Sequence, residues 1–368
     1  MNIKLLQKEL LKPLQRVSGA IEHRQTIPIL GNILVETDKN SLRLIATDLE
    51  IEIIANCSFI SSEEGARFTA PARKLLEICK NLPSEAVIDI SIDKNRLTLK
   101  SGKSKFYLST LPPDDFPRLE SPAAALEVIL DTATLAAMIE HTSFAIAVED
   151  VRYYLNGLYF EIKSNSITAV ATDGHRLALY RSTQEIPLPQ QQIAPIIPRK
   201  TVLELLKIIK DSGSELKIDF AENTIVFSSE NLNLTSKLID GRFPDYERVI
   251  PKNNKNIARV DKEELRSAIQ RVSVLSNEKH KGIRMTLKQG TICLESSNPE
   301  HDEAIEEIKA EYDGLNIECG FNYAYLIDVL NACDSNEIQM AFNDSSSSVL
   351  LTDPHHPQAT YVIMPMRL

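Results

Sequence analysis

One pattern occurs three times along the chain and limits its fold more than any other feature. The segments LLKPLQRVS (10–18), LAAMIEHTS (135–143) and LRSAIQRVS (265–273) lie about a third of the chain apart. Leu10, Leu135 and Leu265 correspond, as do Leu14, Ile139 and Ile269, then Val17, Thr142 and Val272. In each copy these positions are four and three residues apart, so they share one face of an amphipathic helix. Ahead of the third copy, Asp261 and Glu264 have capping-box spacing, with Asp as the cap. A second helix recurs as RKLLEICKNL (73–82), KTVLELLKII (200–209) and YAYLIDVLNA (323–332), in which Glu77, Glu204 and Asp328 correspond.

Between the helices lie alternating, β-branched runs broken by turn residues, such as SLRLIATDLEIEI (41–53) and RLTLKSGKSKFYLST (96–110), which predict strands. The thirds close alike, with DDFPRL (114–119), GRFPDY (241–246) and IMPMRL (363–368). The chain therefore reads as three tandem α+β modules over 1–124, 125–251 and 252–368, each with two helices packed on antiparallel sheet. Tandem modules of this kind stack edge to edge, and an open sheet edge invites aggregation. Closing the array into a ring gives every edge a partner. The first third carries basic Arg96, Lys100, Lys103 and Lys105, and the last third acidic Glu300, Asp302, Glu303, Glu306 and Glu307. Such opposite charge favours a head-to-tail contact between copies.

The net charge of −10 argues at first sight against a nucleic-acid partner, because tight DNA binders are basic. The first third has 17 basic and 16 acidic residues, and the others 12 against 17 and 12 against 18. Lys12 and Arg16 nevertheless sit four apart on the first helix, away from its apolar face. His141 and Arg271 take the place of Arg16 in the other copies, and Lys80 and Lys207 share a place in the second helices. A modestly basic helical face on an acidic body suits a protein held on DNA by topology, because strong phosphate contacts would slow its sliding.

Five cysteines without a C-x-x-C spacing point away from disulfides and zinc and towards a reducing cytoplasm. The start MNIKLLQKELLKPL, with charges scattered through it, does not read as a secretion signal, and no run approaches the roughly 18 apolar residues of a membrane helix. Asp173 and His175 offer an acid–base pair and thus a hydrolase as the competing reading. The matching stretch ATDLEIEI keeps Asp48 but has no histidine, which favours a turn role for the aspartate. His355 and His356 lack a third metal ligand at suitable spacing. No phosphate-binding loop or nucleophile elbow is present, and 12 glycines make a phosphate cradle improbable. No cofactor is expected. A third reading is a scaffold that binds peptides but never DNA.

The segments VRYYLNGL (151–158), ATDGHRLAL (171–179), DGRFPDYERVIP (240–251), LSNEKHKGIR (275–284) and YVIMPMRL (361–368) resemble the bacterial sliding-clamp family, the beta subunits of DNA polymerase III. The resemblance extends over essentially the whole chain. It implies a head-to-tail homodimer of six equivalent modules that encircles double-stranded DNA, with helices lining the hole and sheet outside. The implied partners are the polymerase III alpha subunit, repair and translesion polymerases, and an ATP-driven clamp loader with its delta and gamma subunits.

The family's peptide pocket maps onto Leu155, Thr172, Gly174, His175, Arg176 and Leu177. Pro244, Arg248 and Val249 join it from the end of the middle third, with Tyr325, Ser348, Val362, Met364, Pro365, Met366 and Arg367 from the last. An apolar slot with a few fixed polar groups suits a short linear peptide, and the methionines would let it accept several partners. Ser346 stands where the family pattern has an apolar residue, and Glu149 where it has a neutral amide. For DNA the resemblance implies Arg24, Arg73, Tyr153, Tyr154, Arg199, Lys200, Lys281 and Arg284. At the dimer seam it sets Phe106 and Leu108 against Val274 and Leu275, flanked by Lys74 and the charged runs above.

Overall fold

A computed structural model describes residues 2–22, 27–37, 42–62, 65–120, 123–183, 192–210, 213–277 and 279–367. All six predicted helical segments are helices: α1 (Gln7–Val17), α2 (Ala72–Lys80), α3 (Thr132–Thr142), α4 (Arg199–Ile209), α5 (Lys262–Ser273) and α6 (Tyr323–Ala332). The apolar stripes do what their spacing demands. Leu10, Leu14 and Val17 of α1 are buried, as are Leu265, Ile269 and Val272 of α5. Asp261 caps α5 by accepting from the Glu264 N–H at 2.8 Å. Pro13 interrupts α1, because its ring nitrogen has no hydrogen for the Glu9 carbonyl. The Cys57 thiol donates to that carbonyl instead, at 2.9 Å, and burial pushes the thiol up to about 12 so that it keeps its proton.

The strands, numbered in chain order, form four antiparallel sheets. The first runs β5 (Ser61–Ser62), β1 (Asn2–Leu6), β7 (Val87–Asp93), β8 (Arg96–Ser101), β9 (Ser104–Ser109). The second runs β10 (Leu126–Asp131), β15 (Glu215–Phe220), β16 (Thr224–Ser229), β17 (Leu232–Lys237), β4 (Ile51–Cys57), β3 (Leu42–Thr47), β2 (Asn32–Thr37), β6 (Arg67–Pro71). The third runs β14 (Ile196–Pro198), β11 (Gly157–Lys163), β12 (Ser166–Thr172), β13 (Arg176–Ser182), β25 (Ala359–Ile363), β24 (Val349–Thr352), β23 (Glu337–Phe342), β18 (Asn256–Asp261). The fourth runs β21 (Glu303–Lys309), β20 (Thr291–Ser297), β19 (Gly282–Lys288), β22 (Ile317–Asn322).

Each eight-stranded sheet is shared between two thirds of the sequence. In the second, Leu232 of β17 lies opposite Ala55 of β4; in the third, Arg176 of β13 lies opposite Ile363 of β25. The two compact units of the chain follow these sheets and not the sequence thirds. One comprises residues 1–135 with 203–238, the other 136–202 with 239–368. The middle third is divided because half of its strands lie in the sheet shared with the first third, joined by β17 to β4, and half in the sheet shared with the last, joined by β13 to β25.

The structure corrects the expected run of basic residues along the helices. His141 is buried, with Nδ1 sharing a hydrogen bond with the Tyr361 hydroxyl at 2.7 Å and Nε2 lying 3.3 Å from the Asp334 carboxylate. Its ring stacks on Tyr180 at 5.2 Å. The helix register turns this position towards β13 and β25, where an imidazole fits and a solvated guanidinium would not. Arg271 is exposed but ion-paired with Glu306 of β21.

Burial lowers the pKa of His141 below its ordinary 6.5, against the opposing pull of Asp334. The unfolded chain thus takes up a proton that the folded chain resists. This contribution to stability is complete above pH 6.5 and declines as pH falls below it. The urea midpoint should therefore drop between pH 7.5 and pH 5.5, and His141→Gln should flatten that drop. An equal drop in the variant would assign the effect to other groups.

Candidate functional site

The centre of the site is the turn that joins β12 to β13. Thr172 donates its hydroxyl to the Arg176 carbonyl at 2.6 Å and accepts from the Gly174 N–H at 3.0 Å. Asp173 Oδ1 accepts from the His175 and Arg176 N–H groups at 2.9 and 3.0 Å, while Oδ2 pairs with Arg176 Nε at 3.0 Å. A copy of this turn joins β3 to β4: Thr47 Oγ1 bonds the Ile51 carbonyl and Leu49 N–H, and Asp48 accepts from the N–H groups of Glu50 and Ile51. Both turns pass through a left-handed residue, Leu49 at φ 79° and Gly174 at φ 88°. Asp173 is therefore a turn-former, and its two oxygens engage backbone and guanidinium. These contacts give it no pairing with the His175 ring, which removes the support for an acid–base pair.

Arg176 is held from four sides. Nη1 bonds Asp328 of α6, Nη2 donates to the Phe144 carbonyl at 2.7 Å, Nε meets Asp173, and the guanidinium lies over the Tyr325 ring at 4.4 Å. It forms part of the wall of a cleft of about 590 Å³ together with Phe144, Arg152, His175, Arg199 and Tyr325. In that wall Arg152 holds the Asp150 carboxyl down to about 2, chiefly through its side-chain hydrogen bonds.

On the other side of the turn, Leu177 of β13 stands directly opposite Val362 of β25. Both join Leu155 in a buried apolar cluster that includes Phe243 and Tyr246. Val249 and Met364, near Tyr246 and Val362 in sequence, are exposed apolar groups, at 44 % and 46 %. Pro244 and Arg248 are also exposed, and Arg248 pairs with Asp245. The C-terminal segment is tethered twice through its backbone, by Met364 N–H to the His175 carbonyl and by Met366 N–H to the Gly320 carbonyl, each at 2.9 Å. A second cleft of about 410 Å³ lies beside Pro365, Met366 and Arg367 and is lined also by Ser346. Ser346 and Ser347 fold around Asp344, whose carboxyl their backbone and hydroxyl donors hold at about 2. Ser346 thus serves the turn with its side chain where an apolar residue was expected. Ser348 is half-buried at the end of that turn, with its carbonyl accepting from Asn254.

The residues expected at DNA fall in different settings. Arg24 lies outside the described residues. Arg73 donates to the Glu22 carbonyl at 3.0 Å. Tyr153 is 59 % exposed and meets Tyr154 edge-on at 5.9 Å. Arg199 and Lys200 open α4. Lys281 is exposed in the loop after α5, in a left-handed conformation. Arg284 needs a correction. Ile283, Met285 and Leu287 of β19 are buried beneath α5, so Arg284 projects from the opposite face, where it pairs with Glu318 at 3.4 Å. It does not join the helical side.

Of the seam residues, Phe106 is half-buried, Leu108 is core and Val274 is 77 % exposed; Leu275 is half-buried. Arg96 and Lys105 lie over the Tyr107 ring at 4.0 and 4.9 Å. Lys74, Lys103, Glu300, Asp302, Glu303 and Glu307 are exposed, whereas Glu306 is engaged by Arg271.

Sequence reasoning missed Phe144 and the role of Asp328. A signal for the latter exists: Glu77 and Glu204 pair with Lys80 and Lys207 three residues on, but the third copy has Asn331 at that place. A β-carbon at Gly174 would approach Arg152 Nη1 to 2.9 Å in a left-handed backbone. Gly174→Ala should cost about 1–2 kcal/mol in urea unfolding; an unchanged midpoint would mean that the turn relaxes without strain.

Three consecutive family domains of the DNA polymerase III beta subunit match the chain: the N-terminal domain at residues 1–120, the central domain at 129–245 and the C-terminal domain at 247–367. The chain is 43 % identical to a curated beta sliding clamp of Pseudomonas putida, with all of both chains covered. It is 42 % identical to the crystal structure of a Pseudomonas aeruginosa sliding clamp bound to griselimycin, with full coverage of both and a TM-score of 0.95. A Bartonella birtlesii sliding clamp, also bound to griselimycin, gives a TM-score of 0.96 at 34 % identity, again over the whole of both chains. The chain belongs to the beta sliding clamp family, the beta subunits of DNA polymerase III.

Proposed function

We propose that two copies of this chain join head to tail into a ring that encircles double-stranded DNA and tethers polymerases to it, without cofactor or turnover. The observation that carries this reading is a pairing rule in the sheets. At both internal junctions the third strand of a module's C-terminal strand group pairs with the third strand of the N-terminal group in the module before it: β17 with β4, and β25 with β13. In the modules 1–124 and 252–368 the same two places are held by β9 and β21, and each is the outer strand of its sheet among the described residues. One further application of the rule sets β9 of one chain against β21 of another. The cations beside β9 and the carboxylates beside β21 favour that pairing and disfavour like ends.

Arg24, Arg73, Tyr153, Tyr154, Arg199, Lys200 and Lys281 would touch the DNA backbone or bases weakly. A net charge of −10 keeps the body from adhering to DNA it must slide along. Leu155, Leu177 and Val362 would form the floor of the peptide site, with Val249, Tyr325, Met364 and Met366 as its apolar walls. Two relatives have been solved bound to griselimycin, which supports a ligand site on this fold. The partners that follow are the polymerase III alpha subunit, repair and translesion polymerases, and a loader with delta and gamma subunits that opens the ring. Work on bacterial DNA implies the cytoplasm, and no helix among the described residues is long and apolar enough to cross a membrane.

The protein loaded onto a nicked circular DNA should remain through gel filtration and leave when the circle is linearised. A protein that sediments as a monomer, or that stays on the linear product, would refute the ring. Deleting residues 364–368 should abolish griselimycin binding and leave the dimer intact; loss of the dimer would place the tail at the seam.

A further inference from the structure

We infer that Asp328 is a positioning residue for the peptide site: from α6 it fixes Arg176, and through Arg176 the turn that holds the C-terminal segment in place. The inference rests on the peptide-site reading above. Asp328 is not among the residues mapped to the pocket, although it lines the cleft beside Arg176 and Tyr325, and four linked contacts join it to the exposed Met364. Its carboxylate bonds Arg176 Nη1, Arg176 Nε pairs with Asp173, Asp173 shapes the turn by accepting from the His175 and Arg176 N–H groups, and the His175 carbonyl accepts from the Met364 N–H. Tyr325 lies one helical turn before Asp328, on the same face of α6, and the guanidinium lies over its ring. The same ion pair therefore fixes an aromatic wall of the site and the peptide bond that anchors Met364.

The repeats argue that this arrangement belongs to the site and not to the general fold. The equivalents Glu77 and Glu204 are engaged by a lysine of their own helix, at 2.9 and 2.7 Å. The twin turn at Thr47–Ile51 forms with the same hydrogen bonds although isoleucine stands in the place of Arg176. Neither the helix nor the turn needs the cross-link to form. What the ion pair adds is a fixed relation between α6, the turn and the tail, which lowers the ordering required when a ligand binds.

The test measures griselimycin affinity by calorimetry for the full-length dimer and its variants. Asp328→Asn should weaken binding roughly tenfold or more, as expected for loss of a partly buried charge-assisted hydrogen bond. Asp328→Glu should restore part of that loss. In an Arg176→Ala background Asp328→Asn should add little, because its effect passes through the arginine; a merely structural role would add its full effect there. Undiminished affinity in Asp328→Asn, or an equal loss in the arginine-free background, would overturn the inference. Met364→Ala serves as the control on the site itself. If it weakens binding while Asp328→Asn does not, the site stands and the inference falls. If neither Met364→Ala nor deletion of 364–368 affects binding, the ligand sits elsewhere and both fall.

Discussion

Backbone pairing between modules is the constraint on which the rest depends. A module of two helices and a few strands has sheet edges that must find partners, and unpaired backbone groups are costly when buried. In this chain two pairs of those edges are satisfied across module boundaries, β17 against β4 and β13 against β25, so two of the four sheets are joint property of neighbouring repeats. The covalent order of the chain thereby ceases to match its compact units, and the middle third is shared out between them. A site built beside the β13–β25 pairing can then draw on residues far apart in sequence without any long loop. Leu177 faces Val362, and His175 supports Met364, because two strands run side by side.

The polar groups around that pairing show how a repeated scaffold acquires one specialised place. The turn at Thr172–Arg176 has the hydrogen bonds of its twin at Thr47–Ile51, so its backbone is a property of the repeat. Its side chains are not. Arginine in place of isoleucine brings a charge that requires partners once it is half-buried, and Asp173, Asp328 and the Phe144 carbonyl supply them. On the helix beneath, His141 has been turned inward to bond Tyr361. The region combines shared backbone geometry with individual chemistry, which is what ligand recognition at one junction demands.

The architecture was largely legible in the sequence. Three helical stripes in register, with a second helix following each, mark out the repeated α+β module, and all six helices are where the spacing puts them. The candidate site was legible in part. The Thr-Asp turn was recognisable from its duplicate, and its role as a turn followed from the missing histidine at the first copy. Two kinds of error remain. His141 and Arg284 were placed by charge and by family position, yet orientation decides what they meet: helix register buries one, and strand alternation turns the other to the far side of its sheet. The Arg176–Asp328 pair spans 152 residues of chain, and no local pattern reports such a contact.

Leu49 shows what the duplication left behind. It adopts a left-handed backbone that glycine takes with ease and leucine does not, in a turn with no arginine to orient. The first module thus keeps the backbone of the turn without the arginine found in its copy. Ile51 packs in the core at the place in the repeat where Arg176 meets its carboxylates, so a strained backbone step has been inherited there with the turn and outlasts any side chain set upon it.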